Sequence, residues 1–147
     1  MKKLVLSELN FELLIGRIYH TMVVFRKKEL EKYQISPRQL YVLHVIDGLG
    51  LKATAYEVGK IVDRDIHVIT RLAIDLEKEG LIKRIKKTPK SRILHFVLTE
   101  KGSSMLKISW KSKRIDALLA TIDKENYRQM ESTLIGISTM LKNNLRT

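Results

Sequence analysis

The sequence predicts a mainly α-helical chain with one small β-hairpin, arranged as a winged helix-turn-helix between long N- and C-terminal helices. Three features point there. Two short amphipathic segments are separated only by the polar break Asp63-Arg64-Asp65. Two β-branched or apolar runs follow directly, joined by Thr88-Pro89-Lys90-Ser91. Apolar residues recur at helical spacing near both ends of the chain. With 147 residues, 44% of them apolar, the chain has the size of one domain with a modest core.

From Ser7 to Tyr33, the residues Leu9, Leu13, Leu14, Ile18, Met22 and Phe25 fall at helical steps with no proline, which predicts one long helix. Ser36-Pro37-Arg38-Gln39 then combines an N-cap serine, a proline at the first helical position and a glutamine at the third. Those side chains can satisfy the orphan N–H groups of a new helix, running through Tyr41, Leu43 and Ile46 to Gly48. Thr54-Ala55-Tyr56-Glu57 reads as a second capping box, opening a short helix that carries Val58, Ile61 and Val62. In the next helix Ile69, Leu72, Ala73 and Leu76 share one face. Gly80 stands where a left-handed cap would end it, with Leu81 available for the usual apolar contact. Two short helices joined by a tight polar turn are the outline of a helix-turn-helix.

Leu81–Lys87 and Arg92–Leu98 form the expected hairpin, and its tip carries a high charge: six basic residues and no acidic one lie between Lys83 and Arg92. Thr99 is placed to cap the following helix. From Asp123 a last helix carries Tyr127, Met130, Leu134, Ile137 and Leu141 at alternating three- and four-residue steps, a seam that needs a partner. Those five residues, with Leu9 and Leu13 of the first helix, are the candidate dimerisation set. No repeat, low-complexity tract or Gly/Ser linker divides the chain. The reading is therefore one domain over 1–147, with a dimerisation lobe (1–34 and 100–147) and a winged helix-turn-helix lobe (35–99).

The 28 Lys+Arg against 16 Asp+Glu leave a formal charge of +12, which favours a polyanionic partner. Nucleic acid is the first choice and an anionic membrane surface the rival. A membrane-surface protein, however, needs a helix with free bulky apolar residues opposite its cations, whereas the stripes here suit a helical dimer. There is no cysteine, so disulfides, thiolate-bound zinc and iron–sulfur clusters are excluded. The histidines His20, His44, His67 and His95 show no metal-ligand spacing, and His20 and His44 read as packing or pocket residues. A P-loop, a G-x-S-x-G elbow and a Gly-rich dinucleotide turn are all missing, so neither a cofactor nor an enzyme activity is expected. No apolar stretch reaches the roughly 18–20 residues needed to span a bilayer, and the first residues do not read as a signal peptide. A soluble, cytoplasmic protein is the expectation.

With Ile69, Leu72 and Leu76 inward, a rotation of 100° per residue puts His67, Arg71 and Lys78 on the opposite side of their helix, flanked by Thr70 and Val68. A recognition helix points its first-turn side chains at base edges, so Arg71 suits guanine and Val68 a thymine methyl. An ordinary solvated face is the competing reading of the same residues. For Lys83, Arg84, Lys86, Lys87, Lys90 and Arg92 the competing reading is a solubilising hairpin. Their position directly after the helix favours a wing along a DNA backbone, with Lys87, Lys90 and Arg92 nearest the duplex and Arg92 suited to a narrow minor groove.

The stretch Thr70-Arg71-Leu72…Leu76-Glu77-Lys78-Glu79-Gly80-Leu81-Ile82…Arg92…Leu98-Thr99-Glu100-Lys101-Gly102 resembles the multiple-antibiotic-resistance regulator (MarR) family. The similarity of layout extends over nearly the whole chain. It implies a homodimer built by the first and last two helices, each subunit presenting one recognition helix and one wing to a pseudo-palindromic duplex operator. It also implies a small-molecule effector, since many members release DNA when a ligand binds between the lobes. A ligand-independent or architectural winged-helix DNA protein is the alternative. The sequence departs from the family at the wing: the usual Asp-x-Arg would place aspartate at position 90, where Lys90 stands.

Overall fold

A computed structural model describes residues 8–110 and 114–145. Seven α-helices are described: α1 (Glu8–Leu30), α2 (Pro37–Leu49), α3 (Ala55–Val62), α4 (Ile66–Lys78), α5 (Glu100–Trp110), α6 (Arg114–Leu119) and α7 (Lys124–Leu145). An antiparallel hairpin, β1 (Ile82–Lys86) with β2 (Leu94–Leu98), lies between α4 and α5. The chain divides into two compact units, residues 1–111 and 112–147.

In the first unit α1 is shorter than the predicted Ser7–Tyr33 span. Its end tightens into a 3-10 turn, Glu31–Tyr33, and Gln34 then takes a left-handed backbone (φ 54°) with its N–H bonded to the Glu31 carbonyl. Ser7 lies outside the described residues. The capping box before α2 is complete: Gln39 N donates to Ser36 Oγ (3.2 Å) and Ser36 N to Gln39 Oε1 (2.9 Å). The helix runs one residue beyond the expected Gly48.

The second box is only half formed. Thr54 Oγ1 accepts from Glu57 N (3.2 Å), but the Glu57 carboxylate turns to Lys60 Nζ (2.7 Å) instead of back to the cap. Thr54 is paired elsewhere, in an isolated antiparallel bridge with His95, while Phe96 N donates to the Ala53 carbonyl (2.8 Å). Residues 53–54 thus lie against β2 like a third, very short strand. Helix α3 is correspondingly brief, and of its predicted apolar set Val58 is fully buried, Val62 half-buried and Ile61 exposed.

One core joins these elements: Leu30 at the end of α1, Leu43 and Ile46 of α2, Val58 of α3, Ile69 and Leu76 of α4 and Ile82 of β1 are all nearly inaccessible. Phe96 of β2 and Leu106 of α5 complete it. Each such large side chain contributes about 1.5–3 kcal/mol over its exposed state. Packing is tight at the α3–α4 turn, where a Cβ on Gly59 would stand 2.8 Å from the Arg64 carbonyl oxygen.

The second unit holds α6 and α7. Asp123 caps α7, its Oδ1 accepting from Glu125 N (2.9 Å) and Asn126 N (3.2 Å), at the point the sequence predicts. Helix α7 buries none of its side chains.

Candidate nucleic-acid interface

The turn before α4 is built from its two aspartates. Asp63 adopts the left-handed conformation (φ 55°) that closes α3, with Arg64 N bonded to Gly59 O (3.0 Å). Asp65 opens α4, its Oδ1 accepting from His67 N (2.7 Å). With the start of α4 fixed, its apolar face locks inward: Ile69, Ala73 and Leu76 are buried and Leu72 half-buried. His67, Val68, Thr70 and Arg71 are all exposed, as the helical phase predicts. The Thr70 hydroxyl donates to the Ile66 carbonyl (2.8 Å), so outward it offers a methyl and an acceptor.

The end of α4 and the base of the hairpin form one joint. Gly80 (φ 73°) donates its N–H to Glu77 O, and Leu81 N donates to Leu76 O, both at 2.9 Å, which is a Schellman cap. Three further carbonyls are taken from the far side of the hairpin. Thr99 Oγ1 donates to Gly80 O (2.6 Å), Lys101 Nζ to Glu79 O (2.7 Å) and Thr99 N to Leu81 O (3.1 Å). Gly102 N in turn donates to Thr99 Oγ1 (3.0 Å), and a Cβ on Gly102 would overlap the Leu81 carbonyl. The segments Glu77–Leu81 and Leu98–Gly102 are therefore two halves of one contact, and the glycine in the second half is there for close approach.

Arg84 leaves the row of free cations. It pairs opposite Phe96 and shares the core-facing side of β1 with Ile82. From there its guanidinium grips Glu77 of α4, with Nε at 2.7 Å and Nη2 at 2.6 Å from Oε2, while its backbone N donates to Oε1 (2.9 Å). These bonds hold the Glu77 carboxyl below the usual glutamate range. The two-residue period of the strand carries the signal for this: a residue two beyond a buried isoleucine shares its face.

The strands are shorter than the runs that predict them, because β1 ends at Lys86 and β2 begins at Leu94. Ser91 N donates to Thr88 O (3.0 Å), closing the tip as a turn. Lys87, Lys90 and Arg92 consequently stand on the loop, all exposed. Among the described residues neither these three nor Arg71 has an acidic partner.

Of the dimerisation set, Leu13 (56% exposed), Met130 (40%), Leu134 (42%) and Leu141 (62%) lie open, while Tyr127 and Ile137 are half-buried. The side chain of Leu9 lies outside the described residues. His20 is exposed. His44 is half-buried in α2 and held below the ordinary imidazole range by burial, with Asp47 opposing and Arg26 reinforcing the shift.

A cavity of about 810 Å³ opens beside α4, walled by Tyr19 of α1, Tyr41 of α2, Val68 and Leu72 of α4, and the cations Arg38 and Arg64. Only folding brings these elements together, and no local pattern marks the two arginines. No group of three or more His, Cys, Asp or Glu suited to a metal occurs among the described residues. Among the same residues no helix is long and apolar enough to cross a membrane.

The chain has the fold of winged-helix regulators of the MarR type. It is similar to MepR of S. aureus in a complex with DNA, at 22% identity and a TM-score of 0.79 over 89% of this chain and 97% of that one. It is also similar to the organohalide-sensing transcriptional regulator RdhR in its 2,4-dichlorophenol-bound form (19% identity, TM-score 0.79, 95% of this chain and 88% of that one). A MarR family protein from Bacillus stearothermophilus gives 20% identity and a TM-score of 0.67 over 94% and 99%. No family model and no curated protein sequence matches the chain.

Proposed function

We propose that the chain is a duplex-DNA-binding transcription regulator of the MarR type that acts as a homodimer. The observation that carries this reading is the pairing of two exposed surfaces on one rigid frame. The open first turns of α4 (His67, Val68, Thr70, Arg71) and the unpaired cations of the tip (Lys87, Lys90, Arg92) are tied together through Glu77–Arg84 and the Thr99–Gly80 joint. A helix suits the major groove and an arginine-bearing loop the narrow minor groove. The existence of a DNA complex of MepR supports the same reading. Residues 35–99 then bind DNA, and residues 1–34 with 100–147 join two copies through Leu9, Leu13, Tyr127, Met130, Leu134, Ile137 and Leu141.

The cavity beside α4 supports a ligand-responsive regulator over a ligand-independent one, as does the phenol-bound state of RdhR. Val68 belongs both to the reading face and to the cavity wall, so an occupant would press on the helix that meets the bases.

The test selects a duplex from a random library and measures affinity against salt. Two basic wings and helices neutralising on the order of 6–10 phosphates give a steep loss between low and moderate salt. Arg71→Ala is expected to cost about 1–3 kcal/mol on the selected duplex and to relax preference at one or two positions per half-site. Arg92→Ala is expected to weaken binding with little change in base preference beyond tolerance for A·T-rich steps. A flat salt response, or parent affinity in both variants, contradicts the proposal. Titrating release of the bound duplex with small aromatic compounds separates the ligand-responsive form from the ligand-independent one.

A further inference from the structure

Arg92 stands on the wing tip without the aspartate that the family pattern puts two residues before it, and Lys90 occupies that position. The tip nevertheless carries a constraint of another kind. The hydroxyl of Ser91, itself half-buried, accepts a hydrogen bond from Ile93 N (3.1 Å) and donates to Ile93 O (3.3 Å). Ser91 N is in turn tied to Thr88 O (3.0 Å). Arg92 is the residue spanned by both hydroxyl bonds, with its side chain exposed and unpaired among the described residues.

We propose that Ser91 is the positioning residue for Arg92, bracketing its backbone so that the guanidinium leaves the wing in one direction. This rests on the DNA-binding reading above. An ion pair and a backbone bracket solve the same problem differently. A free loop residue must lose its backbone freedom when it meets the duplex, and a hydroxyl that spans it removes part of that loss in advance. An acidic neighbour would orient the guanidinium but also cancel part of its charge and compete with the phosphates. With Lys90 in place of an acid and a neutral hydroxyl doing the holding, the tip keeps its full positive charge and a defined backbone path.

The test is a double-variant cycle on the full-length protein, with affinities for the selected duplex read by fluorescence anisotropy. Ser91→Ala is expected to weaken binding on the order of 3- to 10-fold, the scale of ordering one flexible side chain. In an Arg92→Ala background the same change is expected to have no further effect. Ser91→Thr, which keeps the hydroxyl, is expected to restore nearly the parent affinity. Backbone amide relaxation at Arg92 gives a second readout, with the order parameter falling in Ser91→Ala and recovering in Ser91→Thr. Parent-like affinity in Ser91→Ala overturns the proposal, and so does an equal loss with and without Arg92. A parent that retains no duplex from the library overturns the DNA reading and this inference with it, whereas a binding parent with no Ser91–Arg92 coupling overturns the bracket alone.

Discussion

The segment from Ile35 to Phe96 and helix α7 put their apolar residues to opposite ends. In the first, Leu43, Ile46, Val58, Ile69, Leu76 and Ile82 all disappear into one core within the chain. In the second, Met130, Leu134, Leu141 and Leu145 recur at four- and seven-residue steps, yet nothing is buried and Leu145 is 86% exposed. Periodicity alone states that a helix has an apolar face. It does not state whether the surface that covers that face belongs to the same chain. On the proposed homodimer, α7 is the half of a core whose other half is a second copy, and α1 belongs to both regimes: its last residue, Leu30, is fully buried while Leu13, Ile18 and Tyr19 lie open.

The largest expected effect breaks the comparison at α7. Replacing Leu134 and Ile137 together by Asp is expected to give monomers or unfolded chains in sedimentation velocity, with duplex binding lost. A folded monomer of that variant with parent affinity for DNA removes the need for a second copy and with it the contrast.

A smaller effect tests the self-contained region. Gly59→Ala places a methyl against the Arg64 carbonyl in the helix-turn-helix turn, and overpacking of this kind costs about 1–3 kcal/mol. The loss, read by urea unfolding, is expected to be the same at every protein concentration, whereas changes in α7 acquire a concentration dependence from dimerisation. An alanine variant as stable as the parent means that the turn relaxes freely.

The smallest effect concerns Glu77. Arg84 depresses its pKa in the folded chain, so the folded state favours the ionised form. The resulting stabilisation is complete above the unfolded glutamate value of about 4.3 and is lost as the pH falls through the lower folded value. Because the Glu77 side chain is 35% exposed, screening keeps the contribution under about 1 kcal/mol. The stability difference between the parent and Glu77→Gln is therefore expected to shrink from pH 7 to pH 3. A difference independent of pH excludes the ion pair as its cause.

The legible parts of the fold are those whose signal is local. Ser36 with Gln39, Asp63 through Asp65, Gly80 and Asp123 each act within a few residues of themselves, and each ends or begins a helix where the sequence predicts. The exposed face of α4 follows from the same local rule, since rotation per residue suffices once Ile69 and Leu76 are known to point inward. Contacts made across the chain were hidden. Thr99 and Lys101 meet carbonyls nineteen and twenty-two residues back, the pairing of Thr54 with His95 carries no period, and Glu57 has two basic or backbone partners to choose between. Arg84 illustrates the intermediate case: its charge suggests a DNA contact, and only the phase of β1 turns it toward Glu77.

The joint between Glu77–Leu81 and Leu98–Gly102 has a consequence for what an operator is allowed to vary. Because carbonyls at the end of α4 are bonded to residues that follow β2, the helix and the hairpin cannot be re-aimed independently. On the proposed reading each subunit works as a fixed ruler, setting the number of base pairs between the major-groove step read by Arg71 and the minor-groove step met by Arg92. Insertions inside a half-site are then rejected as a mismatch of length, whatever bases they bring. Variation between half-sites is a separate matter, governed by how two copies are held together, so one sequence carries a strict internal measure and a separately adjustable external one.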